Sequence, residues 1–147
     1  HPWAIRAALG EALAFHQAIG SERKAARLRY LNLRWINALK GNPRIKVLTD
    51  FSEPAQAWGV AAVSMEGADV RALAKFLMDN YRIIVVPLVG GAPPNSVFDY
   101  TALRISPNVY TTLEEIDTFI TAMEDALKSG VPNTQEPIPG YPAEVTM

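Results

Sequence analysis

The chain has 147 residues, of which 49% are hydrophobic and 20% are charged, and its formal net charge is −1. This composition is ordinary for one globular domain with its own core, and the small net charge gives no field that would attract nucleic acid or an anionic membrane. The sequence contains no cysteine, which excludes disulfides, thiolate zinc sites and cysteine nucleophiles within it.

The first 40 residues predict two helices. Apolar residues recur at helical spacing from Trp3 to Ile19, and Gly20 ends this first helix. A second helix begins at Ser21 and stops at Gly41-Asn42-Pro43. The apolar stripe of the second helix consists of Leu28, Leu31, Trp35 and Leu39. We expect a solvated or interface face from its arginines, which are Arg23, Arg27, Arg29 and Arg34.

Short apolar runs alternate with helical patterns from residue 41 to residue 130. Four strands are predicted, at residues 45–49, 60–65, 83–86 and 100–106, the third of them closed by Pro87. A third helix is predicted from Val70 to Tyr81 with Asp69 as its cap. A fourth runs from about residue 112 to residue 128, with capping-box spacing at its start. The order ααββαββα predicts an α+β fold, a small and mostly antiparallel sheet with helices packed on one face.

These elements predict a helical segment over residues 1–40 that leads into an α+β domain over residues 41–130. Residues 131–147 carry four prolines and should form an extended tail. The sequence begins at His1 without a Met, so we expect it to be part of something longer. No apolar run approaches the roughly 20 residues that span a bilayer, and we expect a cytoplasmic protein without membrane or nucleic-acid partners.

Arg104 is the strongest candidate for a functional residue. Side chains alternate across a strand, so Ala102, Arg104 and Ser106 share one face, while Leu103 and Ile105 share the other. If Leu103 and Ile105 pack on the helices, the guanidinium points away from the core, towards solvent or another domain. Burying a cation is costly unless an anion meets it, so we expect a carboxylate partner. The alternative is a solvated or ion-paired strand arginine.

The other polar candidates have structural explanations. His16 lies near the apolar stripe of the first helix and is expected to pack between helices, and His1 lies at the chain end. Neither histidine has ligands at metal-binding spacing, so we predict no metal site. Glu114 and Glu115 lie in the first turn of a helix, where acids stabilise the dipole. Gly90-Gly91 matches no phosphate-binding loop and is expected to connect strands.

The stretch LRISPNVYTTLEEID, residues 103–117, resembles the C-terminal signature of class V aminotransferase-like enzymes, which are pyridoxal-phosphate proteins of fold type I. Residues 11–20, EALAFHQAIG, are similar to the long helix that leads into the small domain of these enzymes. Residues 69–86 are similar to the helix and strand that precede the signature. The resemblance covers roughly residues 1 to 130 and is closest to the isopenicillin N epimerase-like branch. It identifies the superfamily well and the substrate poorly.

The resemblance implies a small domain that docks on a large cofactor domain of the same polypeptide, in an enzyme that forms a homodimer. Such an enzyme would act on an amino acid by transamination, epimerisation or elimination, and the arginine that matches Arg104 would bind the substrate α-carboxylate. Pyridoxal phosphate would belong to the full-length parent. The resemblance implies no catalytic and no cofactor-binding residue in this segment, which alone should neither hold the cofactor nor turn over.

Two departures from the family pattern support the expectation that the cofactor site lies outside this segment. No lysine of the chain lies in a sequence that resembles the cofactor-lysine motif; the lysines are Lys24, Lys40, Lys46, Lys75 and Lys128. Cysteine desulfurases of the same class keep a catalytic cysteine between the last two strands, where residues 89–99 here contain none, so a persulfide mechanism is disfavoured. Two other hypotheses remain open: a free-standing amino-acid-binding or regulatory module, and an oligomerisation domain whose arginines meet a partner subunit.

Overall fold

The computed structural model describes residues 3–53, 57, 59–89 and 101–131. The elements follow the predicted order and confirm the α+β class. In chain order they are α1 (Trp3–Ile19), α2 (Ser21–Leu39), β1 (Ile45–Val47), β2 (Ala61–Met65), α3 (Val70–Tyr81), β3 (Val86–Leu88), β4 (Ala102–Ile105) and α4 (Leu113–Ser129).

The four strands form one antiparallel sheet in the order β1-β2-β4-β3, so β2 and β4 are central and β1 and β3 are edges. The pairing register sorts the strand residues into two faces. The inner face consists of Ile45, Val47, Ala61, Val63, Met65, Pro87, Leu103 and Ile105. The outer face consists of Lys46, Ala62, Ser64, Val86, Leu88, Ala102 and Arg104.

The core lies between the inner face of the sheet and helices α2, α3 and α4. Trp35 of α2 is fully buried and meets the ring of Phe119 edge-on, with the ring centroids 5.6 Å apart. The indole N–H donates to Asn32 Oδ1 at 3.0 Å, so this large side chain is satisfied without reaching water. The other large, fully buried apolar side chains are Leu31, Val63, Leu73, Leu77, Leu103 and Met123. Each stabilises the fold by about 1.5–3 kcal/mol relative to exposure.

The third strand begins later than predicted. The proposed strand over residues 83–86 is wrong, because α3 ends in a left-handed turn at Arg82 (φ 59°). The amide of Ile83 donates to Leu77 O at 3.1 Å, so the helix end uses it and the sheet cannot. The strand Val86–Leu88 instead contains Pro87, which an edge strand tolerates because one of its sides needs no ladder hydrogen bond.

Helix α1 contributes little to the core. All residues from 8 to 18 are exposed, including the large apolar side chains of Leu9, Leu13 and Phe15. The expectation that His16 packs between helices is wrong, because its ring is exposed and its Nδ1 lies 3.3 Å from Lys24 Nζ at the corner between α1 and α2. Helical periodicity reports an apolar stripe without showing whether the same domain covers it.

Two arginines connect distant elements. Arg34 on α2 donates from Nε and Nη2 to both carboxylate oxygens of Asp117 on α4, at 2.7 and 2.8 Å. This bidentate pair raises the pKa of Arg34 and lowers that of Asp117. Arg44 donates to the carbonyls of Glu66 and Leu127, which joins the turn after β2 to the last turn of α4. The α2 arginine face, which we expected to be solvated or part of an interface, thus includes one arginine that is ion-paired with α4 at the surface.

Candidate functional site

Arg104 lies on the outer face of the sheet, on the central strand β4. On β4 it lies opposite Ala62 of β2 on one side and Val86 of β3 on the other. Its neighbours Leu103 and Ile105 are buried in the core, so the predicted alternation is confirmed. The sheet therefore fixes the backbone of Arg104 on both sides while its side chain is exposed.

The surroundings of Arg104 are small or apolar. The partner Ala62 ends at its Cβ and leaves the guanidinium accessible from above the sheet. Leu48, whose amide donates to Ala62 O at 2.8 Å, extends the same row beyond β1 and is partly exposed. Ala102, the next outer-face residue of β4, is fully buried, so this face is covered at Ala102 and open at Arg104. An exposed cation among apolar neighbours is suited to bind an anion that leaves water.

The outer face has a net positive charge. Its charged strand residues are Lys46 and Arg104, and the strand positions of this face include no acid. Asp50, three residues after β1, uses its carboxylate locally: Ser52 donates to it from its amide at 2.7 Å and from its hydroxyl at 2.9 Å. These hydrogen bonds lower the pKa of Asp50. Within the described ranges, Arg104 forms no hydrogen bond or ion pair, so none of the described residues occupies its donors.

A hydrogen-bonded loop follows the strand that contains Arg104. We call residues 106–111, which connect β4 to the cap of α4, the Tyr110 loop. The amide of Asn108 donates to Thr111 Oγ1 at 2.9 Å, and the amide of Thr111 donates to Asn108 O at 3.0 Å. This closed turn holds Tyr110 outward with 79% of its surface exposed. The loop that follows the strand containing Arg104 therefore exposes an aromatic ring.

The start of α4 is capped as the sequence predicts. The hydroxyl of Thr112 accepts from the amide of Glu115 at 3.2 Å, and the carboxylate of Glu115 accepts from the amide of Thr112 at 2.8 Å. Both Glu114 and Glu115 lie in the first turn of the helix, where the dipole favours them. The signature that follows Arg104 thus has a structural function in its second half.

Several other predictions fall elsewhere or are not tested. The Gly90-Gly91 connection, His1 and the proline-rich tail from residue 132 onward lie outside the described residues. In the part of the chain that the structure describes, no three His, Cys, Asp or Glu side chains cluster as metal ligands would. None of the helices described is both long enough and apolar enough to cross a bilayer.

Sequence reasoning did not identify the surroundings of Arg104. Ala62 and Val86 become its neighbours only once the register of β2, β4 and β3 is known. The usable signal was the alternation within β2, where Ala62 and Ser64 are small residues between the buried residues of the core face. The sequence did not predict the exposure of Tyr110, because an aromatic residue in a loop can equally well be buried or exposed.

Comparisons with known proteins identify solved structures that share this fold. Neither protein-family models nor curated proteins gave a match, but solved structures did. A NifS-like protein from Rickettsia africae is 19% identical and superposes with a TM-score of 0.64 over 81% of this chain. A cysteine desulfurase from Thermococcus onnurineus is 25% identical with a TM-score of 0.65 over 77% of the chain. An alanine–glyoxylate aminotransferase from Nostoc sp. is 21% identical with a TM-score of 0.59 over 82%.

The chain corresponds to only part of each of these proteins. It spans 33% of the NifS-like protein, 28% of the desulfurase and 30% of the aminotransferase. The shared fold agrees with the broad resemblance found in the sequence, to a domain of class V aminotransferase-like enzymes. Identities of this size establish the architecture and leave the reaction open.

Proposed function

We propose that this chain is the C-terminal portion of a pyridoxal-phosphate-dependent enzyme that acts on an amino acid, and that Arg104 binds the α-carboxylate of the substrate. The observation that carries the proposal is the position of Arg104: an exposed guanidinium without a partner among the described residues, on a sheet face that has no acid at its strand positions. A guanidinium matches a carboxylate in two parallel hydrogen bonds. Fixing the carboxylate orients the Cα–H bond of an amino acid for reaction.

The residues of this chain do not fit pyridoxal phosphate itself. A cofactor lysine needs an enclosed position, whereas none of the five lysines is buried. Lys75 donates to Asp79 at 2.9 Å, and Lys24 lies against His16. The cofactor therefore belongs to the remainder of the proposed enzyme, where it would supply the electron sink. What this chain contributes is the binding and orientation of the substrate.

The exposed helix α1 supports a partner within the same polypeptide. Most of the stability of a helix in a protein comes from packing of its apolar face, yet α1 exposes the large apolar side chains of Leu9, Leu13 and Phe15. We infer that a large cofactor domain covers this helix, and that the enzyme forms a homodimer. Within this proposal the isopenicillin N epimerase-like branch is our preferred assignment, on the resemblance carried by residues 103–117.

The decisive experiment uses the longer polypeptide, loaded with pyridoxal phosphate and tested against a panel of amino acids. Replacing Arg104 by Ala should lower kcat/KM while the absorbance of the bound cofactor stays the same. Truncating one partner of a bound ion pair costs about 2–5 kcal/mol, which corresponds to a loss of about 30-fold to several thousandfold. An unchanged kcat/KM would remove Arg104 from the site.

Two further variants sharpen that experiment. Arg104→Lys keeps the charge but loses the fork of donors, so it should recover only part of the lost activity. Arg23→Ala removes another exposed arginine, on α2 and away from the outer face, and should leave kcat/KM near the parent value. A loss as large in Arg23→Ala as in Arg104→Ala would show that net charge, and not the position of Arg104, is what matters.

A free-standing amino-acid-binding module is a second candidate, because the open Arg104 face could bind a carboxylate without any cofactor. Calorimetry of the 147-residue chain with amino acids, in the presence and absence of pyridoxal phosphate, separates the two functions. Micromolar binding of an amino acid to the chain alone would favour the module. Binding only in the longer, cofactor-loaded polypeptide would favour the enzyme.

A further inference from the structure

The Tyr110 loop is anchored from outside its own segment. Arg27 of α2 donates from Nη2 to the carbonyl of Thr111 at 2.9 Å, although the two residues are 84 positions apart in sequence. Thr111 is the last residue of the loop and directly precedes the cap of α4. The guanidinium of Arg27 also lies 6.0 Å from the centroid of the Tyr30 ring on its own helix.

A second α2 arginine anchors a second loop. Arg29 donates to the carbonyls of Phe51 and Ala57, and its guanidinium lies 5.8 Å from the centroid of the Phe51 ring. Phe51 and Ala57 belong to the connection from β1 to β2, and both are buried. Because β1 and β4 run in the same direction in this sheet, both anchored loops lie at the sheet end towards which Arg104 is displaced.

The use of these arginines differs from that of Arg34. Arg34 pairs with a carboxylate, whereas Arg27 and Arg29 are half-buried and hold neutral carbonyls of loops. Charged donors form stronger hydrogen bonds than neutral ones, so each of these contacts helps to fix its loop. The long arginine side chain also reaches loops that a short side chain could not. Helix α2 thus connects the core to both loops at this end of the sheet.

We propose that Arg27 is a positioning residue for amino-acid binding: it holds the Tyr110 loop beside Arg104, so that the loop forms one wall of the site. The inference rests on the proposed function of Arg104. The sheet fixes the backbone of Arg104 on both sides, and Arg27 anchors the proposed wall. Releasing the wall should therefore weaken amino-acid binding without moving the cofactor.

The matched variants are Arg27→Met and Arg34→Met. Both arginines lie on the same side of α2, seven residues apart, and each connects α2 to the segment that runs from the Tyr110 loop into α4. Only Arg27 touches the loop. Methionine keeps an unbranched apolar stem at either position while it removes the donors. Arg27→Lys retains one charged donor and should restore part of the effect.

The first measurement is amide hydrogen exchange on the 147-residue chain. Loss of the Arg27 anchor should speed exchange at the amides of Asn108 and Thr111 by about ten- to a hundredfold, the range expected when one charged hydrogen bond is removed. The amide of Leu103 in the strand should exchange as before, which shows that the fold survives. Unchanged exchange at Asn108 and Thr111 would overturn the anchoring.

The second measurement is steady-state kinetics of the cofactor-loaded, longer polypeptide. Arg27→Met should raise KM for the amino acid by about threefold or more, because a smaller fraction of molecules holds the wall in place, and kcat should change little. An equal rise in Arg34→Met would overturn the inference, since general loosening would explain both. If Arg104→Ala raises KM and Arg27→Met does not, the inference alone fails. If Arg104→Ala has no effect, the proposed function fails and the positioning role in binding fails with it.

Discussion

Replacing Arg104 should leave the stability of the isolated chain almost unchanged, whereas replacing its sequence neighbour Leu103 should lower it. Arg104 is exposed and forms no hydrogen bond or ion pair with the described residues, so Arg104→Leu removes no stabilising contact among them. Exposed substitutions of this kind change the free energy of unfolding by about 0.5 kcal/mol or less. Leu103 is fully buried between the strands and the helices. Leu103→Ala should therefore cost about 2–5 kcal/mol.

The expected cost of Leu103→Ala is large compared with the free energy of unfolding of the whole domain. A domain of this size has about 5–15 kcal/mol of stability, so Leu103→Ala would remove a substantial share of it. Urea unfolding measures both variants: with a slope of about 1–3 kcal/mol per molar urea, the Leu103→Ala midpoint should fall by about 0.7 M or more. The Arg104→Leu midpoint should stay within a few tenths of a molar of the parent chain.

The refuting result is a destabilised Arg104→Leu. A loss above about 1 kcal/mol is what a disrupted hydrogen bond or ion pair costs. It would show that Arg104 has a partner inside this chain, and a guanidinium already occupied is not free to bind a substrate. A stable Arg104→Leu combined with a loss of turnover in the longer polypeptide separates function from folding.

Three other substitutions test local features of the fold. Thr112→Ala removes the hydroxyl that caps α4 and should lower the free energy of unfolding by about 1 kcal/mol in urea titrations. Arg82→Gly relieves the left-handed conformation at the end of α3 and should raise it by about 0.5–1 kcal/mol, so a loss would contradict the cap assignment. The hydrogen bond from Tyr81 to Asp125 raises the pKa of Tyr81. This hydrogen bond stabilises the fold below the pKa of about 10 that tyrosine has in the unfolded chain, and the stabilisation is lost as pH rises through the higher pKa of the folded state. Tyr81→Phe should therefore flatten the fall of the urea unfolding midpoint above pH 10.

The sequence predicted those features that depend on local periodicity. The bounds of α1, the Thr112 cap and the burial of Leu103 and Ile105 opposite Arg104 all follow from spacing within one element. Spacing could not predict the third strand, because its start depends on Arg82 adopting a left-handed conformation that favours glycine.

Local spacing in the sequence could not predict long-range contacts. The partners of Arg27 and Arg34 lie 84 and 83 residues away, and one of them is a backbone carbonyl that any residue type provides. The sequence therefore suggested a solvated or interface arginine face, where the structure uses Arg27 to connect α2 to the Tyr110 loop and Arg34 to connect α2 to α4. The same limit applies to α1, whose stripe is apolar in sequence and exposed in this chain.

The structural neighbours include desulfurases and an aminotransferase, so a shared fold does not select the reaction. Under the proposed function, the contribution of this chain is one guanidinium that recognises the α-carboxylate, which all amino acids share. Removing Arg104 should then lower kcat/KM by a similar factor for every amino acid that the enzyme accepts. Removing the exposed ring, as in Tyr110→Ala, should instead change the order of preference among amino acids, because a wall of the site contacts the side chains in which they differ. Kinetics of both variants across the same panel test this division, and selective losses in Arg104→Ala would contradict it.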